Sequence, residues 1–175
     1  SATDPDDYSI TASPVTIPAG QMSASIVVTP VDDAIVEGDE TVVVTLTGAT
    51  NADLGVTQVH TSTLQDDDFA TVEFDLASSN VNEGDPATPI VVSLSNVSTQ
   101  DVMVTYTVGG SATDPDDYSI TASPLTIPAG QMSANIVLTP VDDLLVEGNE
   151  SVVVTLTGAT GAILGATQVH TSTLV

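Results

Sequence analysis

The chain contains no lysine and no arginine. Its 24 Asp and Glu residues stand against two His, a formal net charge of −24 in 175 residues, so no carboxylate here can pair with a Lys or Arg side chain. With no basic residue to neutralise phosphates, nucleic-acid binding is excluded as a function class, and an anionic membrane surface would repel the chain. The absence of lysine also excludes an intramolecular Lys–Asn or Lys–Asp crosslink. Cysteine is absent, so no disulfide staples the fold and thiols say nothing of the redox compartment. Tryptophan is absent and aromatics are only 3% of residues, whereas hydrophobic residues are 41%, so a core must be built from Val, Ile, Leu and Ala. No apolar run approaches about 18 residues and no signal-peptide pattern opens the chain, which reads as an excised or mature segment of something larger.

What is present is acid, concentrated. "VDDAIVEGDE" spans Val31 to Glu40 and its near-copy "VDDLLVEGNE" spans Val141 to Glu150. Two carboxylates about 4 Å apart repel by roughly 4 kcal/mol at an effective dielectric near 20. Clustering them without a basic partner makes sense if a cation from solution joins them. The other reading is a solvated acidic face that keeps a secreted or salt-adapted protein soluble.

The chain repeats itself. "SATDPDDYSITASP" at Ser1 to Pro14 returns unchanged at Ser111 to Pro124, a spacing of 110 residues, and Ser1–Leu64 matches Ser111–Leu174 at 54 of 64 positions. The changes are mild, such as Val15 to Leu125 and Asp39 to Asn149. Such similarity marks a tandem array. The first copy has no counterpart of Phe69 to Gly110, so the chain is expected to start in mid-repeat, with a partial repeat over residues 1–68 and a nearly complete one over 69–175.

Within a repeat the pattern is period two, broken by turn residues every eight to twelve positions or so, the signature of an all-β sandwich or barrel. Val and Thr dominate, which favours strands. In "DVMVTYTV" Val102, Val104, Tyr106 and Val108 share one face. "MSANIVLTP" turns Ala134, Ile136 and Leu138 inward, and "SVVVTLTG" does the same with Val152, Val154 and Leu156. Further strands fit "ATVEFDL", "PIVVSLS", "LTIPAG" and "ATQVHTSTL". About seven strands per repeat predict an immunoglobulin-like antiparallel β-sandwich. Helical periodicity is absent, and "DDLLVEGNE" is placed on a loop running into the next strand.

These residues resemble the Calx-beta domain: "DYSI", "TIPAG", then "PVDDLLVEGNESVVVTLTG", with "VNEGD" early in the unit and "LQDDDFATVEF" at the repeat junction. Two Asp, three spacers and Glu-x-x-Glu flowing into a Val-rich strand is the specific part. The resemblance covers the whole chain and implies a seven-stranded antiparallel sandwich that binds calcium where loops and the terminal acidic run converge at one end. Carried over, it implies a metal site in the second copy from Glu83, Asp117, Asp142, Asp143, Glu147 and Glu150. In the first copy it implies Asp7, Asp32, Asp33, Glu37 and Glu40, closed by Asp66, Asp67 and Asp68. Ile35 and Leu145 stand where the family can lend a backbone carbonyl. Calcium takes six to eight oxygens at about 2.3–2.6 Å, and these candidate sites are all oxygen; without Cys or a His cluster, zinc and copper do not fit. The second copy has no counterpart of Asp66 to Asp68, so its site is expected to be weaker or to need acids from a following repeat. The first copy has no counterpart of Glu83.

Other polar features receive structural readings. Asp4, Asp6, Asp114 and Asp116 flank a proline in "TDPDDY", and a turn role suits their short side chains. His60 and His170, on a Thr-rich strand, read as ordinary strand surface. "NVS" at Asn96 and "NES" at Asn149 match the glycosylation sequon, a short motif of little specificity. No serine sits in a nucleophile elbow and no Gly-rich loop opens a helix, so no enzyme is expected.

The functional expectation is a calcium-binding structural repeat of an extracellular or cell-surface adhesin or filament, in which Ca2+ neutralises acids between repeats and rigidifies the array. The alternatives are a regulatory calcium sensor, which needs a bistable output element, and an acidic spacer that binds no metal. Partners are expected to be neighbouring repeats or copies of the chain itself, head to tail, with strand donation as one route.

Overall fold

The computed structural model describes residues 1–144 and 148–175. Its contacts divide into two units: Ser1–Asp33 with Gly38–Asp67, and Ala34–Glu37 with Asp68–Val175. The tetrapeptide Ala34–Glu37 therefore belongs with the later unit although its sequence lies in the earlier repeat. Its Val36 backbone takes an amide hydrogen bond from Thr99 and donates one to Val97, at 3.0 and 2.9 Å.

The first unit is two hairpin-like pairs. Strand β1 (Tyr8–Ile10) runs antiparallel to β2 (Val28–Pro30), and β3 (Glu40–Thr45) runs antiparallel to β4 (Val59–Leu64). Among its described hydrophobic side chains only Val42 is buried.

The second unit is a two-layer sandwich. One sheet has the order β10 (Leu125–Ile127), β8 (Val102–Gly110), β12 (Glu150–Thr160), β14 (Val169–Leu174), β6 (Ser78–Val81). The other has the order β13 (Ile163–Leu164), β5 (Thr71–Phe74), β7 (Thr88–Leu94), β11 (Ser133–Pro140), β9 (Tyr118–Ile120). Pairing is antiparallel except at two edges, where β6 lies parallel to β14 and β13 parallel to β5. Alternate residues of both sheets meet in a core that includes Val72, Phe74, Val92, Val104, Ile136, Leu138 and Val154. Each fully buried Val, Leu or Ile contributes about 1.5–3 kcal/mol. No helix occurs among the described residues.

The seven expected strands of this unit all form. β6, β9 and β13 are additional, and at two to four residues they are too short for alternation to register. The inward face of β8 was expected to include Val108; burial stops at Tyr106, and Val108 is partly exposed.

Near-identical sequence takes different structure in the two units, and the partner strand decides which. Leu125–Ile127 is a strand because it pairs with β8, whereas Val15–Ile17 forms none. β11 runs for 8 residues and β12 for 11, against 3 for β2 and 6 for β3, because β7 and β8 extend the ladders. Strand propensity is realised only where a neighbour supplies the other half of the ladder.

His170 corrects the surface reading given to it. It is 3% exposed. Its Nδ1 lies 2.6 Å from the Leu76 carbonyl, and its Nε2 lies 3.0 Å from Ser79 Oγ and 3.2 Å from Ser172 Oγ. The Leu76 carbonyl can only accept, so the Nδ1–H tautomer donates to it and Nε2 accepts from serine hydroxyls. The ring also tilts against Phe74, with centroids 5.7 Å apart. His60, its repeat counterpart, is exposed as expected.

Candidate metal site

In the second unit, strand ends deliver acids to one end of the sandwich. Glu83 follows β6, Asp116 and Asp117 precede β9, Val141 and Asp143 follow β11, Gly148 and Glu150 lead into β12, and Leu174 ends β14. Together these residues line a cavity of about 10 Å³, room for one water-sized body. Five of the eight lining residues are carboxylates, so the occupant that fits is small and cationic.

Asp117 is the best-fixed member. Its Oδ2 accepts from the Thr113 amide at 2.6 Å and from the Thr113 hydroxyl at 2.8 Å. Its own amide donates to the Thr113 carbonyl and its carbonyl accepts from the Val141 amide, both at 2.9 Å. The Thr113 backbone donor and then its hydroxyl hold the Asp117 carboxyl below its ordinary 3.8; burial opposes them, and Glu150 contributes least. The charged, metal-binding form is thus favoured. The nearby charges of Asp114 and Asp117 add to burial in pushing the Tyr118 hydroxyl up.

The "NEGD" turn is built similarly. Asp85 Oδ2 accepts from the Asn82 amide and side-chain Nδ2, each at 2.8 Å, and these bonds lower its pKa. Asp85 shapes the turn that carries Glu83.

The first unit repeats the clasp. Asp7 Oδ2 accepts from the Thr3 amide at 2.5 Å and the Thr3 hydroxyl at 2.9 Å. The Asp7 carboxyl is lowered, first by the Thr3 amide, then by the Thr3 hydroxyl, with Glu40 and the chain's amino terminus contributing less. Carboxylate oxygens of Asp7 and Glu40 lie within 4.8 Å of each other, as do those of Asp32 and Asp67. The Asp66 amide donates to Asp39 Oδ1 at 3.4 Å.

Of the residues expected in the later site, Glu83, Asp117, Asp143 and Glu150 come together around the cavity, and exposed Asp142 does not line it. Glu147 and the Leu145 carbonyl lie outside the described residues. Of those expected in the earlier site, Asp7 and Glu40 are brought together, as are Asp32 and Asp67, in the first unit, where Asp33 and Asp66 also lie. Glu37 and Asp68 are half-buried and belong to the second unit. Asp116, assigned a turn role from sequence, sits in the turn before β9 and also lines the cavity. Its adjacency to Asp117 in "DDY" was the available signal.

Other acids serve the backbone instead. Glu73 Oε2 accepts from the amides of Ala166 and Thr167 at 2.9 and 3.0 Å, and Asp101 Oδ1 accepts from the Ala129 amide at 2.8 Å. Asp75 serves a side chain, accepting from the Ser93 hydroxyl. The acids at the strand ends differ in facing one another.

The donor set is entirely oxygen and suits a hard cation with flexible coordination. The Calx-beta domain pattern matches residues 1–68 and again residues 65–174. In structure, the apo form of the Calx CBD1 domain aligns with a TM-score of 0.56 at 19% identity, covering 62% of this chain and 97% of that one. CBD12 from CALX1.2 aligns at 0.54 and 18%, covering 60% of this chain and 43% of that one. The calcium binding domain CBD12 of CALX1.1 aligns at 0.54 and 19%, covering 59% and 43%. These identities carry the fold alone. No curated protein matches the chain in sequence.

Proposed function

Because the chain belongs to the Calx-beta domain family through both of its matched stretches, we propose that it is a calcium-binding structural repeat of an extracellular adhesin or filament. The observation that carries this reading is the ion-sized cavity bounded by Glu83, Asp116, Asp117, Asp143 and Glu150 in a chain without Lys or Arg. Calcium supplies the missing positive charge. The chain's own residues fix where that charge sits: Thr113 holds Asp117, the Asn82–Asp85 turn presents Glu83, and the start of β12 presents Glu150. A related solved structure is named a calcium binding domain, in keeping with this assignment. Asp117 precedes β9 and Asp143 follows β11, neighbouring strands of one sheet, so an ion held between them joins loops that otherwise repel.

The proposal includes an extracellular setting. Extracellular calcium modules bind at about 10⁻⁴ to 10⁻³ M, so such sites fill outside a cell and empty inside it. The structural role is favoured over a sensor by the near-identity of the two copies, 54 of 64 aligned positions. Repetition suits a filament of equivalent beads.

The test is a thermal melt of the chain in chelator, in millimolar calcium and in magnesium at matched ionic strength. Binding to the folded state adds about 2.7 kcal/mol when free ion is 100 times the dissociation constant. A large rise in midpoint with calcium only is expected. Equal, small rises with both ions would leave the acids as a screened surface and remove the calcium assignment.

A further inference from the structure

The five strands of the β10–β8–β12–β14–β6 sheet hold one charged residue, Glu150, in a chain with 24 Asp and Glu. Glu150 opens β12 and lines the acidic cavity at the sandwich end. The outer face of this sheet therefore carries no charged side chain among the described residues. One row across it is Thr107, Thr155 and Val169, and the next is Gly109, Val153, Thr171 and Ser78, as the ladder pairs place them. On the same face the Thr157 hydroxyl donates to Thr105 Oγ1 at 3.2 Å. Apolar side chains share it, with Met103 45% and Val169 44% exposed. The opposite sheet differs, because Glu73 of β5 alternates with buried Val72 and Phe74 and so lies on its outer face. Exposed surface is where a soluble protein ordinarily intersperses charge. Here the acids stand at strand ends and in loops, and a whole sheet face is left neutral.

We infer that this neutral face of the second unit is a contact surface for the same face of a second copy of the chain. Charge selects that occupant. A positively charged partner is drawn to the acids at the strand ends, and two copies of net charge −24 can approach closely only where neither side bears a carboxylate. The face is also compatible with itself. Threonine hydroxyls both donate and accept, and their methyl groups lie beside Val153 and Val169, so one patch serves both sides of a two-fold pair. Area sets the strength. At about 3.3 Å per residue and about 4.8 Å between strands, the five strands present about 500 Å² per copy, about 1,000 Å² in a pair. That lies at the weak, transient end of specific interfaces. Repetition compensates: the earlier copy of the sequence has Val43, Thr45, Val59 and Thr61 where the later has Val153, Thr155, Val169 and Thr171. Arrays laid side by side then engage several such faces at once, and their avidity exceeds that of any one pair. The inference goes beyond the calcium assignment and does not depend on it.

The experiment is sedimentation velocity of the full chain in chelator, from about 10 μM to about 1 mM. A monomer–dimer equilibrium is expected, strengthening about tenfold between about 0.02 and 0.5 M salt as screening weakens repulsion between the acidic ends. Thr107→Asp, at an exposed position of β8, should weaken the dimer about tenfold or more. Asn135→Asp, exposed on β11 of the opposite sheet, should leave it unaltered. Amide shifts of the unsubstituted ¹⁵N-labelled chain supply a reading that no variant's folding affects. Those that move with concentration should cluster at Thr105, Thr107, Val153, Thr155, Val169 and Thr171. A chain that stays monomeric at the highest concentration and salt overturns the inference. So do equal losses in the two variants, concentration-dependent shifts confined to the opposite sheet or the acidic end, and association that salt weakens. Dextran, a neutral polysaccharide, should leave these amides unmoved; if it shifts them and dissolves the dimer, the face is a glycan site and the inference falls.

Discussion

Thr113 grips Asp117 twice, its amide and its hydroxyl converging on the single oxygen Oδ2 at 2.6 and 2.8 Å. The grip recurs 110 residues earlier between Thr3 and Asp7, at 2.5 and 2.9 Å. It leaves Asp117 Oδ1 for other partners and fixes the carboxylate plane before any ion arrives. Ordering done by the protein is ordering that a ligand need not bring about.

This grip sets an acid dependence. Asp117 and Asp7 have folded-state values below the ordinary 3.8. Each therefore stabilises the fold above its unfolded value, and that stabilisation is lost as pH falls through the depressed folded value. Thr113→Val removes the hydroxyl and keeps the stronger backbone donor. The Asp117 carboxyl resonance should then titrate part of the way back towards 3.8, with Asp7 unmoved. An unchanged midpoint would show that the hydroxyl does not hold the charge.

The cavity ranks its acids. Glu83→Gln or Asp143→Asn should weaken calcium binding by the second unit about tenfold or more, about 1.4 kcal/mol each. Asp142→Asn should cost clearly less, since Asp142 lies outside the lining. Calorimetric titration of the three variants decides, and equal losses for Asp142 and Asp143 would remove the distinction between them.

Equivalent isoleucines are expected to differ in worth. Ile136→Ala opens a void in a packed core and should cost about 2–5 kcal/mol, whereas Ile26→Ala should cost about 1 kcal/mol or less. Urea denaturation of each variant reads this directly. Similar losses would mean that the first unit is packed in solution as tightly as the second.

The two histidines make a parallel pair. His170→Phe keeps the ring but leaves the Leu76 carbonyl and the Ser79 and Ser172 hydroxyls without their imidazole partner, a penalty of about 1–3 kcal/mol. His60→Phe, on an exposed strand, should change stability by about 0.5 kcal/mol or less. A thermal or urea melt that ranks them equally would contradict the buried network.

His60 and His170 also show where sequence reading ends. Both sit in "TQVHTSTL", so nothing local separates a surface histidine from a buried one. The difference is made by β6, which brings Ser79 beside His170 and which, as the four residues "SSNV", gives no periodic signal of its own. The long strands were legible because Val152, Val154 and Leu156 alternate with polar neighbours, and the acidic end was legible because Asp143 and Glu150 fall at fixed distances from them. Asp116 was passed over because one short carboxylate can both close a turn and line a cavity. That Ala34–Glu37 belongs to the second unit is a matter of tertiary contact, which neither composition nor spacing encodes.

The parallel pairing of β6 with β14 joins one of the unit's first strands to its last, Ser78 opposite Thr171 through Val81 opposite Leu174. A pull applied between the early and late ends of the unit would run along both strands in opposite senses. The bonds between them would be loaded in shear, all at once, rather than peeled one after another as in a hairpin. Resistance to such a pull would be shared across the whole ladder, and the unit would yield by slippage of one strand past the other, at high force and over a short extension.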